Sequence, residues 1–486
     1  IMNKNIAALE PKNVWGHFYE LTRQPRPSKH EEKVRAFVVD FAKKNKLDCK
    51  VDEVGNVIIT KPATKGMENR RGVILQAHLD MVPQKNADKK HDFVKDPIEA
   101  YVDGDWVTAD GTTLGADNGM GCAAIMAVLE SKTVKHGPLE ALFTIDEETG
   151  MTGAFGIKKG VFKGDILLNL DSETEGELYV GCAGGIDATI TLPYKTEATP
   201  ADSKAFKIAL TGLKGGHSGM DIVLGRGNAN KLMNRLLLRL MEGCSARLVK
   251  LEGGSLRNAI PRESFATVTL PKAKEARFQK IVDQFYAETK AELSAVEPDY
   301  VLNCEKATLP KNVITMASGK KMCRLVYGLP NGVMRMSDAM PIVETSTNMA
   351  IVKADKGVMT VSCLLRSSVD TAKEDLVNQM KSVVALAGGK AQFTGGYPGW
   401  KPNMQSPILK AMQSTYHSLY GKKPKVMAIH AGLECGLLGG VYKNWDMISF
   451  GPTIMYPHSP DEKVNIASVK KFWDYLVATL AATPKK

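Results

Sequence analysis

Apolar positions recur at helical spacing over Asn13–Leu21 and Glu31–Asn45, and short, mainly apolar runs follow at Gly72–Ala77, Leu139–Ile145 and Ile166–Leu170. Residues three and four apart share one helix face, whereas a bounded run of four to eight apolar residues fits a strand buried on both sides. Gly119–Leu129 is apolar all round, which predicts a buried helix. Val51–Val54 and Val57–Thr60 are predicted as a hairpin turning at Gly55-Asn56. Buried strands alternating with helices predict a mostly parallel α/β sheet covered on both faces.

The middle of the chain changes period. In Asp187–Leu192 and Ala266–Leu270 polar and apolar residues alternate, as in an antiparallel sheet with one exposed face. Helices are predicted at Asn228–Met241, Glu275–Ala295 and Thr371–Ala387. After Gly395-Gly396 the first rhythm returns. A helix is expected over Ser406–Tyr420, strands over Val426–Ile429 and Met447–Phe450, and a closing helix over Ile466–Leu480. The expected architecture is therefore a discontinuous α/β domain, residues 1–185 and 390–486, interrupted by an α+β domain over residues 186–389.

Composition narrows the class. The chain has 486 residues, 44% apolar and 24% charged, which excludes a mainly disordered chain. No stretch approaches the roughly 20 apolar residues of a membrane span. Ile1 before Met2 is set aside, and the opening Ile1-Met2-Asn3-Lys4-Asn5-Ile6 has no apolar core of a secretory leader. The net charge of +11 comes from scattered lysines without interleaved aromatics, so neither nucleic acid nor a membrane is expected as a partner. The eight cysteines are dispersed, the nearest two, Cys304 and Cys323, being 19 apart, so no Cys-x-x-Cys pair exists. Dispersed cysteines in a long chain point to a reducing, cytoplasmic setting. Any metal would have to be held by histidines and carboxylates.

Such groups gather at strand ends. His78-Leu79-Asp80 follows the strand at Gly72–Ala77, and positions i and i+2 of an extended chain face the same way. Asp80 could accept one imidazole N–H while the other nitrogen binds metal, although a surface polar pair reads the same. Asp117 stands in the glycine-rich Gly115–Gly121 before the buried helix, where an N-cap aspartate is the plain alternative. Asp146-Glu147-Glu148 closes the run Leu139–Ile145, and three adjacent acids there call for a compensating cation. Asp171 ends the run Ile166–Leu170, and His458 stands in the Pro-flanked Tyr456–Glu462. Two histidines, two aspartates and a glutamate at the carboxyl ends of strands in one sheet suit two divalent ions bridged by a carboxylate.

On these motifs (Gln76–Val82, Leu114–Gly121, Asp146–Gly153, His430–Gly436 and Gly451–His458, in order) the sequence resembles the two-zinc exopeptidase family of aminoacylases, carboxypeptidases and dipeptidases. Within it the sequence is similar to the bacterial cytosolic aminoacyl-histidine dipeptidases. The resemblance spans essentially the whole chain. It implies a zinc-peptidase catalytic domain with an inserted lid domain that also serves dimerisation. It implies one metal on His78 and Asp171, a second on Glu148 and His458, and Asp117 bridging both. Asp80 would clamp His78, and Glu147 would be the general base. In the insertion, His217 of Gly215–Asp221 resembles the histidine that stabilises the oxyanion, and Asn258 of Ser255–Pro261 an asparagine that approaches substrate. Arg366 could pair with the terminal carboxylate of a peptide or serve a structural ion pair, and His430 could line the substrate pocket or support it from behind. The expected function is hydrolysis of unblocked dipeptides, preferably Xaa-His, with two zinc ions (manganese or cobalt being the alternatives) in a homodimer, a monomer with an enlarged lid being the other possibility. A related aminopeptidase, tripeptidase or N-acyl amidohydrolase, or a non-catalytic metal- or peptide-binding module, would carry much of the same pattern.

Overall fold

The computed structural model describes residues 6–486; residues 1–5, which open the segment read above for a leader, lie outside the described residues. The chain divides into two compact units. One comprises the segments up to Gly181, Pro402–Ala428 and Leu433–Lys486; the other comprises Cys182–Lys401 and Ile429–Gly432.

The first unit is built on an eight-stranded sheet. Its order is Asp48–Val51, Val57–Lys61, Leu139–Thr144, Val73–His78, Ile166–Asn169, Asp446–Ser449, Glu177–Cys182 and Lys425–Ile429. Leu139–Thr144, Val73–His78, Ile166–Asn169 and Asp446–Ser449 run parallel to one another. All six residues of Val73–His78 and all four of Ile166–Asn169 are buried, as their mainly apolar sequences favour. Against this centre packs the helix Ala116–Glu130, buried from Ala116 to Leu129. The hairpin differs from expectation: its first strand is Asp48–Val51, and residues 52–56 form the turn. Asp52 causes the shift, because its Oδ1 accepts the backbone N–H groups of Val54, Gly55 and Asn56. A small antiparallel sheet of Ala100–Asp103, Trp106–Ala109, Ile454–Met455 and Lys463–Asn465 was not anticipated. It pins both ends of the segment that carries His458.

The second unit holds an antiparallel sheet ordered Val301–Ala307, Ser203–Thr211, Ser264–Pro271, Arg247–Gly253, Val343–Asp355, Val358–Ser367, Gly184–Pro193 and Lys390–Tyr397, with Gly332–Met336 beside Val343–Asp355. Alternation places Phe206, Ile208 and Leu210 in its core while Lys207 is exposed. The core is closed by the helices Ala229–Cys244, Glu275–Glu292, Met316–Gly328 and Asp370–Leu386. Lys390–Tyr397, counted from the sequence with the outer segments, pairs here with Gly184–Pro193 and packs Ala391 and Phe393 on this core. Its alternation belongs to a half-buried edge strand, which is why the chain leaves this unit after Lys401 rather than at 389.

Among the described residues no helix is long and apolar enough to cross a membrane. Among the described residues no disulfide joins any of the eight cysteines.

Candidate functional site

The carboxyl ends of the parallel strands deliver the acidic groups of the first unit to one place. His78 ends its strand with its imidazole 1% exposed. Its Nε2 lies 3.1 Å from Asp117 Oδ1 and 3.3 Å from Asp171 Oδ1. His458 Nε2 lies 3.2 Å from Asp117 Oδ2 and 3.0 Å from Glu148 Oε2. The two oxygens of Asp117 are thus divided between two histidines. The ligand atoms of His78, Asp117 and Asp171 form one compact group, those of Asp117, Glu148 and His458 another. All five groups selected from the sequence as ligands come together.

Local structure explains the presentation. Asp117 follows Gly115, whose φ of +75° lets the chain turn sharply into the helix. Asp80 does more than approach His78. Its Oδ1 lies 3.3 Å from His78 Nδ1, which also meets the Asp80 carbonyl at 3.1 Å. The same carboxylate accepts the N–H groups of Glu147 (3.0 Å) and Glu148 (3.2 Å) and the Ser28 hydroxyl (2.7 Å). One side chain therefore fixes both the imidazole and the acidic turn. Asp146 turns inward instead, its oxygens taken by Thr149 and Thr152 and its N–H by Glu31. His78, Glu147 and Glu148 form a third such group, and Glu31, Asp80 and Asp146 a fourth, in which hydroxyls and backbone N–H groups serve the oxygens.

The electrostatics are those of an under-compensated acidic centre. Burial pushes Asp171 up to about 8, and burial with the nearby charges of Asp171, Glu148 and Glu434 raises Glu147 well above the carboxylate range. Hydrogen bonds to Asp117 and Glu148 push His458 up to about 11. Burial also raises Glu434 to about 7. Two acceptors, Glu148 Oε1 and Asp171 Oδ1, are buried without a hydrogen-bond partner. Orphaned carboxylate oxygens beside imidazoles in two three-residue cradles fit a pair of divalent cations, whose charge would reverse these shifts. The Glu147 carboxylate makes no hydrogen bond among the described residues, and its Oε2 lies 3.9 Å from His78 Nε2.

The second unit gathers three of the four remaining candidates. The Arg366 guanidinium is buried, and Nε and Nη2 donate to Ser218 Oγ at 3.3 and 3.1 Å. No carboxylate pairs with it among the described residues. His217 Nδ1 accepts the N–H groups of Gly219 (3.2 Å) and Met220 (3.0 Å), so its neutral ring carries the proton on Nε2. Burial and the charge of Arg366 lower His217, and burial, Arg366 and His217 lower His430 to about 3. His430 Nε2 meets Ser346 Oγ at 2.7 Å, and its Nδ1 is buried without a partner. Asn258 is the exception. It is exposed, and its carbonyl, rather than its side chain, receives Ser218 N–H at 2.9 Å.

Residues 74–482 match the family described as Peptidase family M20/M25/M40. The chain belongs to this family. It is 47% identical over 482 residues to the cytosol non-specific dipeptidase of Escherichia coli (strain K12), covering 99% of each chain. It superposes on the aminoacylhistidine dipeptidase of Vibrio alginolyticus with a TM-score of 0.96 at 51% identity, covering 99% of this chain and 98% of that one. The aminopeptidase PepT of Bacillus cereus shares the fold at 15% identity, with a TM-score of 0.57 and 98% and 99% coverage. The M20 assignment accords with a peptidase centre made of histidines and carboxylates alone. Four buried charges around it went unselected in the sequence: Arg26, Glu31, Glu434 and Glu462. Glu434 and Glu462 lie inside quoted motif segments, which was the available signal.

Proposed function

We propose that the protein is a two-metal dipeptidase acting on unblocked dipeptides, with a preference for a C-terminal histidine. The observation that carries this reading is the division of the Asp117 oxygens between two cradles, with the unbonded Glu147 carboxylate beside them. His78 and Asp171 would hold one ion, Glu148 and His458 the other, and Asp117 both. Divalent cations held by these residues would supply charge that acidifies water and polarises a carbonyl oxygen. Zinc suits this nitrogen and oxygen donor set, and manganese and cobalt are the alternatives.

The remaining work falls to the protein. Glu147 takes a proton from the attacking water and returns it to the leaving amine nitrogen, as one carboxylate can when it is not itself a ligand. Asp80 holds Glu147 in place through its backbone N–H. His217 presents Nε2–H, a donor suited to the developing oxyanion. Arg366, cationic and unmatched by an acid, would receive the peptide carboxylate. The relatives' names support the substrate class: one is a non-specific dipeptidase, the other an aminoacylhistidine dipeptidase. The name of the first also supports a cytoplasmic location.

A panel of free, N-acetylated and longer peptides, assayed on chelated protein reloaded with zinc, manganese or cobalt, tests the reading. Cleavage of free dipeptides, fastest for Xaa-His, is expected. Cleavage confined to N-acetylated peptides would instead indicate an amidohydrolase, a preference for tripeptides a tripeptidase, and stoichiometric binding without turnover a non-catalytic module.

Arg366→Met tests the carboxylate anchor. Removing one partner of a buried charged hydrogen bond costs about 2–5 kcal/mol, so KM for a free dipeptide should rise at least about 30-fold. The parent should discriminate strongly against the C-terminal amide of the same dipeptide, and the variant should not. Undiminished discrimination would return Arg366 to a structural role.

A further inference from the structure

Two charged side chains outside the ligand set grip the turn that presents Asp117. Glu462 is 2% exposed. Its Oε1 accepts the N–H groups of Leu114 and Gly115 at 2.9 and 3.0 Å, and its Oε2 that of Asp117 at 3.1 Å. Arg26, also 2% exposed, takes the carbonyls around the same place. Its Nη2 donates to Gly115 O at 2.5 Å, and its Nη1 to Leu79 O at 3.0 Å and Asp80 O at 3.2 Å. Neither forms an ion pair among the described residues, so both charges are spent on backbone groups. The fit is close: a Cβ at Gly115 or at Gly119 would stand 2.6 Å from Arg26 Nη2.

Each of the two also ties a second segment to the turn. Glu462 lies four residues beyond His458, and its carbonyl accepts the Thr108 hydroxyl at 2.8 Å just before the paired strand Lys463–Asn465. It therefore joins the His458 segment to the Asp117 turn. Arg26 joins the same turn to the chain leaving His78. The bridging carboxylate is thereby registered against one histidine by an anion that collects N–H groups, and against the other by a cation that collects carbonyls.

We infer that Glu462 and Arg26 are positioning residues that set the spacing of the two cation cradles on either side of Asp117. This rests on the two-metal reading above. Outer partners of metal ligands characteristically change metal affinity or activity about 10–100-fold when removed. Glu462→Gln keeps the volume but cannot accept all three N–H groups, because its amide NH₂ must face at least one of them. Arg26→Lys keeps the buried charge but loses the planar fork that reaches three carbonyls.

The test measures zinc binding by chelator competition, together with steady-state kinetics, on both variants and the parent. The expected result is folded protein in which the weaker zinc binds about 10–100-fold less tightly and kcat falls by a similar factor, while KM stays within about threefold. Arg26→Lys reads the same proposal should Glu462→Gln lower the yield of folded protein. Both zinc affinities within about twofold of the parent's in the folded variants, with loss confined to Tm, would reduce the pair to packing and overturn the inference. A parent that binds fewer than two zinc ions would instead overturn the two-metal reading itself.

Discussion

Glu147→Gln is expected to lower kcat by about 10²–10⁴ while leaving two zinc ions bound. The expectation comes from where the carboxylate sits. Glu147 opens the helical turn Glu147–Gly150, its backbone fixed by Asp80, while its side chain makes no hydrogen bond among the described residues. Burial first, and then the charges of Asp171, Glu148 and Glu434, raise its proton affinity, against the opposing effect of His78. A carboxylate held beside the ligands but outside them can cycle a proton, and glutamine of the same size cannot. The two groups around Asp117 are complete without Glu147, although Glu147 also lies in one group with His78 and Glu148, so the variant decides between base and ligand. Zinc content and kcat measured on the same preparation separate the two roles. Turnover near the parental rate would make the base assignment wrong, whereas loss of a zinc ion would make Glu147 a ligand.

Much of this centre was legible because its chemistry interrupts apolar runs. His78 ends one fully buried strand, Asp171 follows another, and the acids at 146–148 follow the mainly buried Leu139–Thr144, and polar groups in such places are costly unless they are used. The charges that hold the ligands were not legible in this way. Arg26 stands among prolines in a polar stretch, and Glu462 beside Asp461, where solvent exposure is the ordinary expectation. Only the fold shows that both are buried and what they receive. Asp80 was read as a partner for His78 alone, because the turn whose N–H groups it also accepts lies 67 residues away. The edge strand Lys390–Tyr397 was misplaced for a related reason: a half-buried strand next to a glycine pair looks the same whichever sheet it joins. The helix Met316–Gly328 is hard to read from sequence because Ser318, Gly319, Lys320 and Lys321 interrupt its apolar pattern.

Asp117→Ala should abolish tight binding of both ions, whereas Asp117→Asn should leave one. The difference follows from the division of the two oxygens. Oδ1 faces His78 and Asp171, and Oδ2 faces His458 and Glu148, so alanine leaves each cradle with two protein donors. Catalytic zinc sites ordinarily have about three protein ligands, and two donors compete poorly with water and chelator. Asparagine keeps one acceptor oxygen and points an amide N–H at the other cradle, which repels a cation there. Turnover should fall by at least about 10³ in the alanine variant, since the hydrolytic water loses both of its activating charges. Zinc-linked stability gives a second reading that does not depend on turnover. A ligand at about 100 times its Kd adds about 2.7 kcal/mol to the folded state, so zinc should raise the parent's Tm by several degrees, raise that of Asp117→Asn less and leave that of Asp117→Ala unmoved. One zinc ion bound tightly in the alanine variant as well as in the asparagine variant would show that Asp117 serves a single ion, and the shared bridge would then have to be another group.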